Sequence, residues 1–126
     1  MPWDNIPEWN EYQKQLIYDL IDKATDPEEV LVWHDEQLVS VMDDKGDVHL
    51  ADEHGVIRLY KDSIEVEWDG NRTRVKGTDV KTISYSSKGT VILITDDVNL
   101  RIKTKEPRAA NIYLVGVRYM KGKKTI

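Results

Sequence analysis

Apolar residues follow two rhythms along this chain, and the change between them marks out helix, strands and helix. From Pro7 to Ala24 they fall at Trp9, Tyr12, Leu16, Ile17, Leu20, Ile21 and Ala24, the spacing of an amphipathic helix with one apolar stripe. Pro7 suits a first helical turn, and Glu8 and Glu11 sit at the positive end of the helix dipole. Asp26-Pro27 ends the helix, because proline disfavours helical geometry in the residue before it. Asp26-Pro27-Glu28-Glu29 has the composition of one short capped turn, with Glu29 at the reciprocal position. The stripe Trp9, Tyr12, Leu16, Leu20 and Ala24 needs cover, since each large side chain taken from water is worth roughly 1.5–3 kcal/mol. The helix is therefore expected to dock on the chain's own body or on a symmetry mate.

From Val30 to Thr104 the period becomes two. Candidate strands are Val30–Trp33, Gln37–Met42, Val48–Ala51, Val56–Tyr60, Ser63–Asp69, Arg72–Lys76, Lys81–Ser86, Thr90–Thr95 and Asn99–Thr104. The links between them, such as Glu53-His54-Gly55 and Asp69-Gly70-Asn71, are short and turn-like, which predicts an antiparallel meander. In Ser63–Gly77, acids alternate with apolar residues into the turn and bases alternate out of it. A turn centred on Gly70-Asn71 sets Glu67 opposite Arg74, and one on Asp69-Gly70 sets Glu67 opposite Arg72; acid meets base either way. Ile64, Val66, Trp68 and Val75 then point to the core, and the charges form a solvated, self-neutralising face. The last element opens at Glu106-Pro107 and runs to Lys121, with Ala109, Ala110, Tyr113, Val117 and Met120 at helical spacing. Its richness in Ile, Val and Tyr keeps a strand open for Ile112–Val117.

Composition narrows the class. The 126 residues fit a single domain over 1–126, and 40% hydrophobic with 33% charged residues describes a globular chain rather than a disordered one. Cysteine is absent, which excludes disulfides and thiolate metal sites. The amino-terminal segment has neither the basic nor the apolar region of a signal peptide, and the longest apolar run, Ile112 to Val115, falls far short of a membrane span of about 20 residues. A cytoplasmic setting is the expectation. The net charge of −5 conceals a polarity: residues 1–100 carry a balance of −12 and residues 101–126 one of +7. A basic C-terminal element lying beside an acidic sheet would neutralise it.

This arrangement resembles the small bacterial pleckstrin-homology-like (PH-like) domains. The resemblance rests on Glu29-Val30-Leu31-Val32 as opening strand, on Gly55–Tyr60 followed by Ser63–Val66, on Asp79–Tyr85, and on Thr90–Ile94 and Leu100–Thr104 leading to Pro107-Arg108-Ala109-Ala110. It implies an α+β fold: an antiparallel β-barrel or meander over 28–121 closed by a C-terminal helix, with an N-terminal helical extension over 1–27 and a basic tail over 122–126. It also implies a non-catalytic interaction module of a bacterial or phage-type protein. Members that bind phosphoinositides place bases around the first strand pair. Here that region reads Trp33-His34-Asp35-Glu36-Gln37 and Met42-Asp43-Asp44-Lys45, where a phosphate would meet like charge.

Little candidate chemistry emerges. His49 and His54 with Asp47, Asp52 and Glu53 lack both the helical spacing of a zincin and the ordered acids of a calcium loop, so no metal is expected. Neither a phosphate loop nor a nucleophile elbow is present, and enzyme activity, a cofactor and a small-molecule substrate are not expected. Two sets of residues could bind a partner. Arg101, Lys103, Lys105 and Arg108 with Arg118 and Lys121 could meet an anionic ligand, a lipid headgroup or nucleic acid, but no aromatic stacking platform lies beside them. Trp3 and Trp9 are expected to dock the first helix onto the sheet, the alternative being that they form a protein-binding patch with Tyr12, while Trp33 and Trp68 belong to the core. A protein partner or a homo-oligomer is the expected association, ahead of nucleic acid or membrane.

Overall fold

The two rhythms resolve into one seven-stranded antiparallel sheet between two helices. The computed structural model describes residues 11–43, 48–86 and 88–122. Helix α1 (Glu11–Lys23) is followed by β1 (Val32–Asp43), β2 (Val48–Leu59), β3 (Ser63–Trp68) and β4 (Asn71–Lys76). A 3-10 turn over Gly77–Asp79 leads to β5 (Thr82–Ser86), β6 (Thr90–Ile94), β7 (Val98–Lys103) and α2 (Pro107–Gly122). The sheet order is β4-β3-β2-β1-β7-β6-β5, so the only neighbours not consecutive in the chain are β1 and β7. The sheet stays open, with β4 and β5 as its edges.

Four expected strands merge into two long ones. Asp35-Glu36 reads as a turn but is a bulge. Pairing advances three residues on β1 and two on β2 between His34↔Ile57 and Gln37↔Gly55, and Glu36 adopts a left-handed φ of 57°. The Glu53-His54-Gly55 stretch pairs in unbroken register with Val39, Leu38 and Gln37, and two further slips, between Val39 and Met42, carry the ladder on from Glu53 to Val48. Bulges bend a strand without ending it, so composition alone suggested breaks where the ladder continues. Gly55 sits where the bend brings chains together: a Cβ there would lie 2.7 Å from the Glu67 carbonyl oxygen and 2.9 Å from a Val39 methyl.

Inward positions of the sheet supply Val39, Ile57, Ile64, Val66, Leu93 and Ile102, all fully buried. Against them lies α2, with Ala110, Tyr113, Leu114 and Val117 at i, i+3, i+4 and i+7. The strand alternative for Ile112–Val117 gives way to helix. β-Branched residues cost a helix only a few tenths of a kcal/mol each, and burying this stripe outweighs that. α1 docks on the chain's own body, as expected: Ile17 and Ile21 enter the core, the Tyr18 and Tyr119 rings stack with centroids 4.3 Å apart, and Tyr119 donates its hydroxyl to Asp22 at 2.6 Å. The Lys61 ammonium donates to the Ile21 carbonyl at 2.9 Å, a cation at the negative end of the helix.

The β3–β4 hairpin turns on Asp69-Gly70, with φ of 44° and 81°, and pairs Trp68 with Asn71, Glu67 with Arg72 and Glu65 with Arg74. Acid does face base, but the face is not solvated. The Glu65 side chain is only 3% exposed; Arg58 Nη1 reaches both Glu65 Oε1 at 3.0 Å and Glu67 Oε1 at 2.6 Å, and the Tyr60 hydroxyl donates to Glu65 at 3.0 Å. Arg74 turns elsewhere, to Ser63 Oγ, the Pro27 carbonyl and the Glu28 carboxylate, with its guanidinium 3.9 Å from the centre of the Tyr60 ring. The segment leaving α1 thus crosses this side of the sheet and covers it, which the hairpin's own sequence could not reveal.

Two outcomes follow. Gly55→Ala should lower the unfolding free energy by about 1–3 kcal/mol in urea titrations, because a backbone carbonyl must move to admit the methyl. Arg58→Met should cost about 3–5 kcal/mol by stranding a buried carboxylate, and Arg58→Met with Glu65→Met should recover much of it. Strictly additive losses in that double-mutant cycle would contradict the coupling.

Candidate protein-binding face

At 100° per residue, Tyr18, Ile21, Ile17, Ala24, Leu20 and Leu16 sweep an apolar arc of about 200° around α1, twice the stripe that a docked surface helix needs. The body of the protein covers the first part of the arc, through Ile21, Ile17 and Ala24. The far side is left open: Leu16 is 48% exposed and Leu20 41%. The expected stripe through Leu16 and Leu20 is therefore not the buried one.

Across from them the chain enters the sheet. Leu31 donates its N–H to the Leu59 carbonyl at 2.8 Å, so the ladder already begins there and the alternation of β1 is set. Val32 and His34 take inward positions opposite Leu59 and Ile57, and Leu31 and Trp33 take the other side. Trp33, expected in the core, is 60% exposed, while Trp68 does pack against the core. Four successive apolar residues, Val30–Trp33, carry no alternation that would have told the two faces apart.

Leu16, Leu20, Ala24 and Leu31 line an open groove of about 530 Å³, rimmed by Asp19, Lys23 and Glu29. The exposed large hydrophobic residues among the described ones are Leu16, Leu20, Val30 and Trp33, all within this stretch of the chain. Exposed apolar side chains scattered singly need no explanation, whereas a contiguous apolar surface beside a groove is a candidate binding face.

The residues singled out from sequence are distributed differently. Trp3 and Trp9 lie outside the described residues, as does the side chain of Tyr12. Arg101 and Lys103 are exposed on β7, and Lys105 and Arg108 are exposed where the chain passes into α2. Arg118 and Lys121 are half-buried, Lys121 roughly 20 Å along the helix axis from Arg108, with its ammonium donating to the Val80 carbonyl at 2.7 Å. The bases thus form two groups rather than one patch. His54 Nδ1 lies 3.7 Å from the Glu36 carboxylate with both side chains exposed, and His49 has its side chain outside those described. Among the described residues no group of three or more His, Asp or Glu could hold a metal ion, and no helix is long and apolar enough to cross a membrane.

One titratable group anchors the face from behind. His34 Nδ1 lies 2.6 Å from the Tyr113 hydroxyl, which also lies 3.3 Å from the Ile57 carbonyl, so β1, β2 and α2 meet in one hydrogen-bonded chain. With Nδ1–H donating to the hydroxyl and the hydroxyl donating to Ile57, every group in the chain has a role. Burial pushes the Tyr113 phenol up and holds the His34 imidazole below its ordinary 6.5, the latter against the opposing charge of Asp35.

No family model and no curated protein matches the chain. Its fold has clear counterparts among solved structures. The inner membrane complex sub-compartment protein 3 of Toxoplasma gondii superposes with a TM-score of 0.56 at 10% identity, over 90% of this chain and 88% of that one. A chain of the 8S snRNP assembly intermediate gives 0.57 at 8% identity, over 78% and 87%. The N-terminal PH domain of human ARAP2 gives 0.53 at 6% identity, over 75% and 83%. At such identities the likeness is one of fold, and the fold is PH-like.

The depressed imidazole makes stability depend on pH in a defined window. The unfolded chain takes up the proton more readily than the folded one, so the contribution of neutral His34 is complete above pH 6.5 and is lost as pH falls through the lower folded value. In urea titrations from neutral to mildly acidic pH, His34→Gln should flatten that slope. An unchanged slope would assign it to other groups.

Proposed function

We propose that this chain is a non-catalytic interaction module that binds a protein partner across the face formed by α1 and the start of β1. The observation that carries the reading is the apolar groove lined by Leu16, Leu20, Ala24 and Leu31, with the exposed Val30 and Trp33 flanking Leu31 in the chain, on a surface otherwise rich in charge. An exposed apolar concavity is where a partner's anchor side chains can be buried, and exposed tryptophan is enriched among the residues that anchor protein interfaces. The non-catalytic part rests on the sequence, which holds neither a nucleophile elbow nor a Gly-rich phosphate loop. The bacterial or phage-type setting rests on the sequence resemblance alone, and the cytoplasmic one on a composition without cysteine. The alternative, an anionic ligand on the basic C-terminal residues, draws less support, because Lys121 donates to the Val80 carbonyl roughly 20 Å along α2 from Arg108, so these two bases do not share one patch.

A photoreactive amino acid at Leu20 or Trp33 of the full chain should crosslink a protein from the host's lysate, and the same group at Lys103 should not. Sedimentation with anionic liposomes and gel shifts with RNA or DNA at low salt should both be negative. Crosslinks confined to Lys103, or binding in either anionic assay, would overturn the reading.

A further inference from the structure

Resting on that protein-binding reading, we infer that the occupant of the groove is an amphipathic helical segment with a basic polar face. The floor, Leu16, Leu20, Ala24 and Leu31, is apolar, and Leu16 to Ala24 spans about 12 Å of α1, room for two turns of a facing helix. Anchors at i and i+3 or i+4 of such a helix would reach both leucines.

The rim decides the charge. The rim itself sets Asp19 and Glu29 against Lys23, and the same stretch of chain adds Asp22, Asp26 and Glu28 beyond the rim, with Lys14 buried. Glu28 is paired with Arg74 at 2.8 Å. Asp19 accepts from the neutral amide of Gln15 and Asp22 from the neutral hydroxyl of Tyr119, and neither bond cancels the carboxylate's charge. The groove is thus an apolar floor in a negative rim, which attracts lysine and arginine flanks and repels nucleic acid and anionic lipid. A second copy is a poorer occupant. Two-fold pairing through this face would set the acidic rim against itself.

Two labelled helical peptides with the same leucine stripe, one with lysine and one with glutamate on the polar face, test this by fluorescence anisotropy with the full chain. The lysine peptide should bind, more weakly as salt rises, and the glutamate peptide should not. Leu16→Ser with Leu20→Ser should weaken binding at least about tenfold, with the melting temperature close to wild type because both side chains are exposed. Asp19→Lys with Glu29→Lys should shift preference toward the glutamate peptide. Equal binding of both peptides, or lysine-peptide binding indifferent to the leucine substitutions, would overturn the inference and leave a protein-binding face in place. So would self-association abolished by those substitutions, which would seat a second copy there. If neither peptide binds while Leu20 still crosslinks a protein, the partner chemistry falls alone; if crosslinking fails too, both readings fall.

Discussion

One strand holds the two halves of this protein together. β1 pairs with β2 along most of its length and with β7 over Leu38–Asp43, so every other strand is connected to the rest of the sheet through it. A strand asked to serve two neighbours along different stretches cannot stay straight, and the bulge at Asp35-Glu36 is where it changes direction. The bend has consequences on both sides of the sheet. Inward, it leaves His34 opposite Ile57 and within reach of Tyr113 on α2. Outward, it leaves Leu31 beside the open flank of α1 and Trp33 exposed on the same side of the strand. Core and candidate binding face are therefore set by the same few residues.

Much of this could be read from residues alone. Pro107 and the spacing of Ala109, Ala110, Ile112, Tyr113, Val117 and Met120 pointed to α2, though its β-branched content kept a strand open for Ile112–Val117, and period-two alternation located the shorter strands nearly to their ends. The failures share a physical cause: each concerned a feature decided by what lies across from it. Asp35-Glu36 and Glu53-His54-Gly55 have turn composition, and only the partner strand shows that the ladder runs on through them. Glu65 looked solvated because the cover over it comes from Pro27 and Glu28, far away in sequence. The two hairpin registers could not be separated, since acid opposes base in both; the positive φ of Asp69 and Gly70 decides it.

The candidate site was the least legible part. Leu16, Ile17, Leu20 and Ile21 are one stripe to any periodicity argument, and nothing in their order says that Ile17 and Ile21 are covered while Leu16 and Leu20 are not. That division comes from the angle at which α1 meets α2, fixed by the Tyr18–Tyr119 stack and the Lys61 bond to the Ile21 carbonyl.

An open sheet also has two edges, and these are not alike. β4 carries Arg72, Arg74 and Lys76 within six residues, and a second sheet approaching that edge would bring like charges together. β5 reads Thr82-Ile83-Ser84-Tyr85-Ser86, with no charge and no proline, and its backbone faces outward along the opposite edge. Lys81 and Lys88 flank it, the placement by which sequences guard a strand that would otherwise recruit its own kind. Charge that could hold off a second sheet at this edge therefore sits at the ends of β5 rather than on the strand itself, and at one end Lys81 already shares it with Asp96 at 2.5 Å.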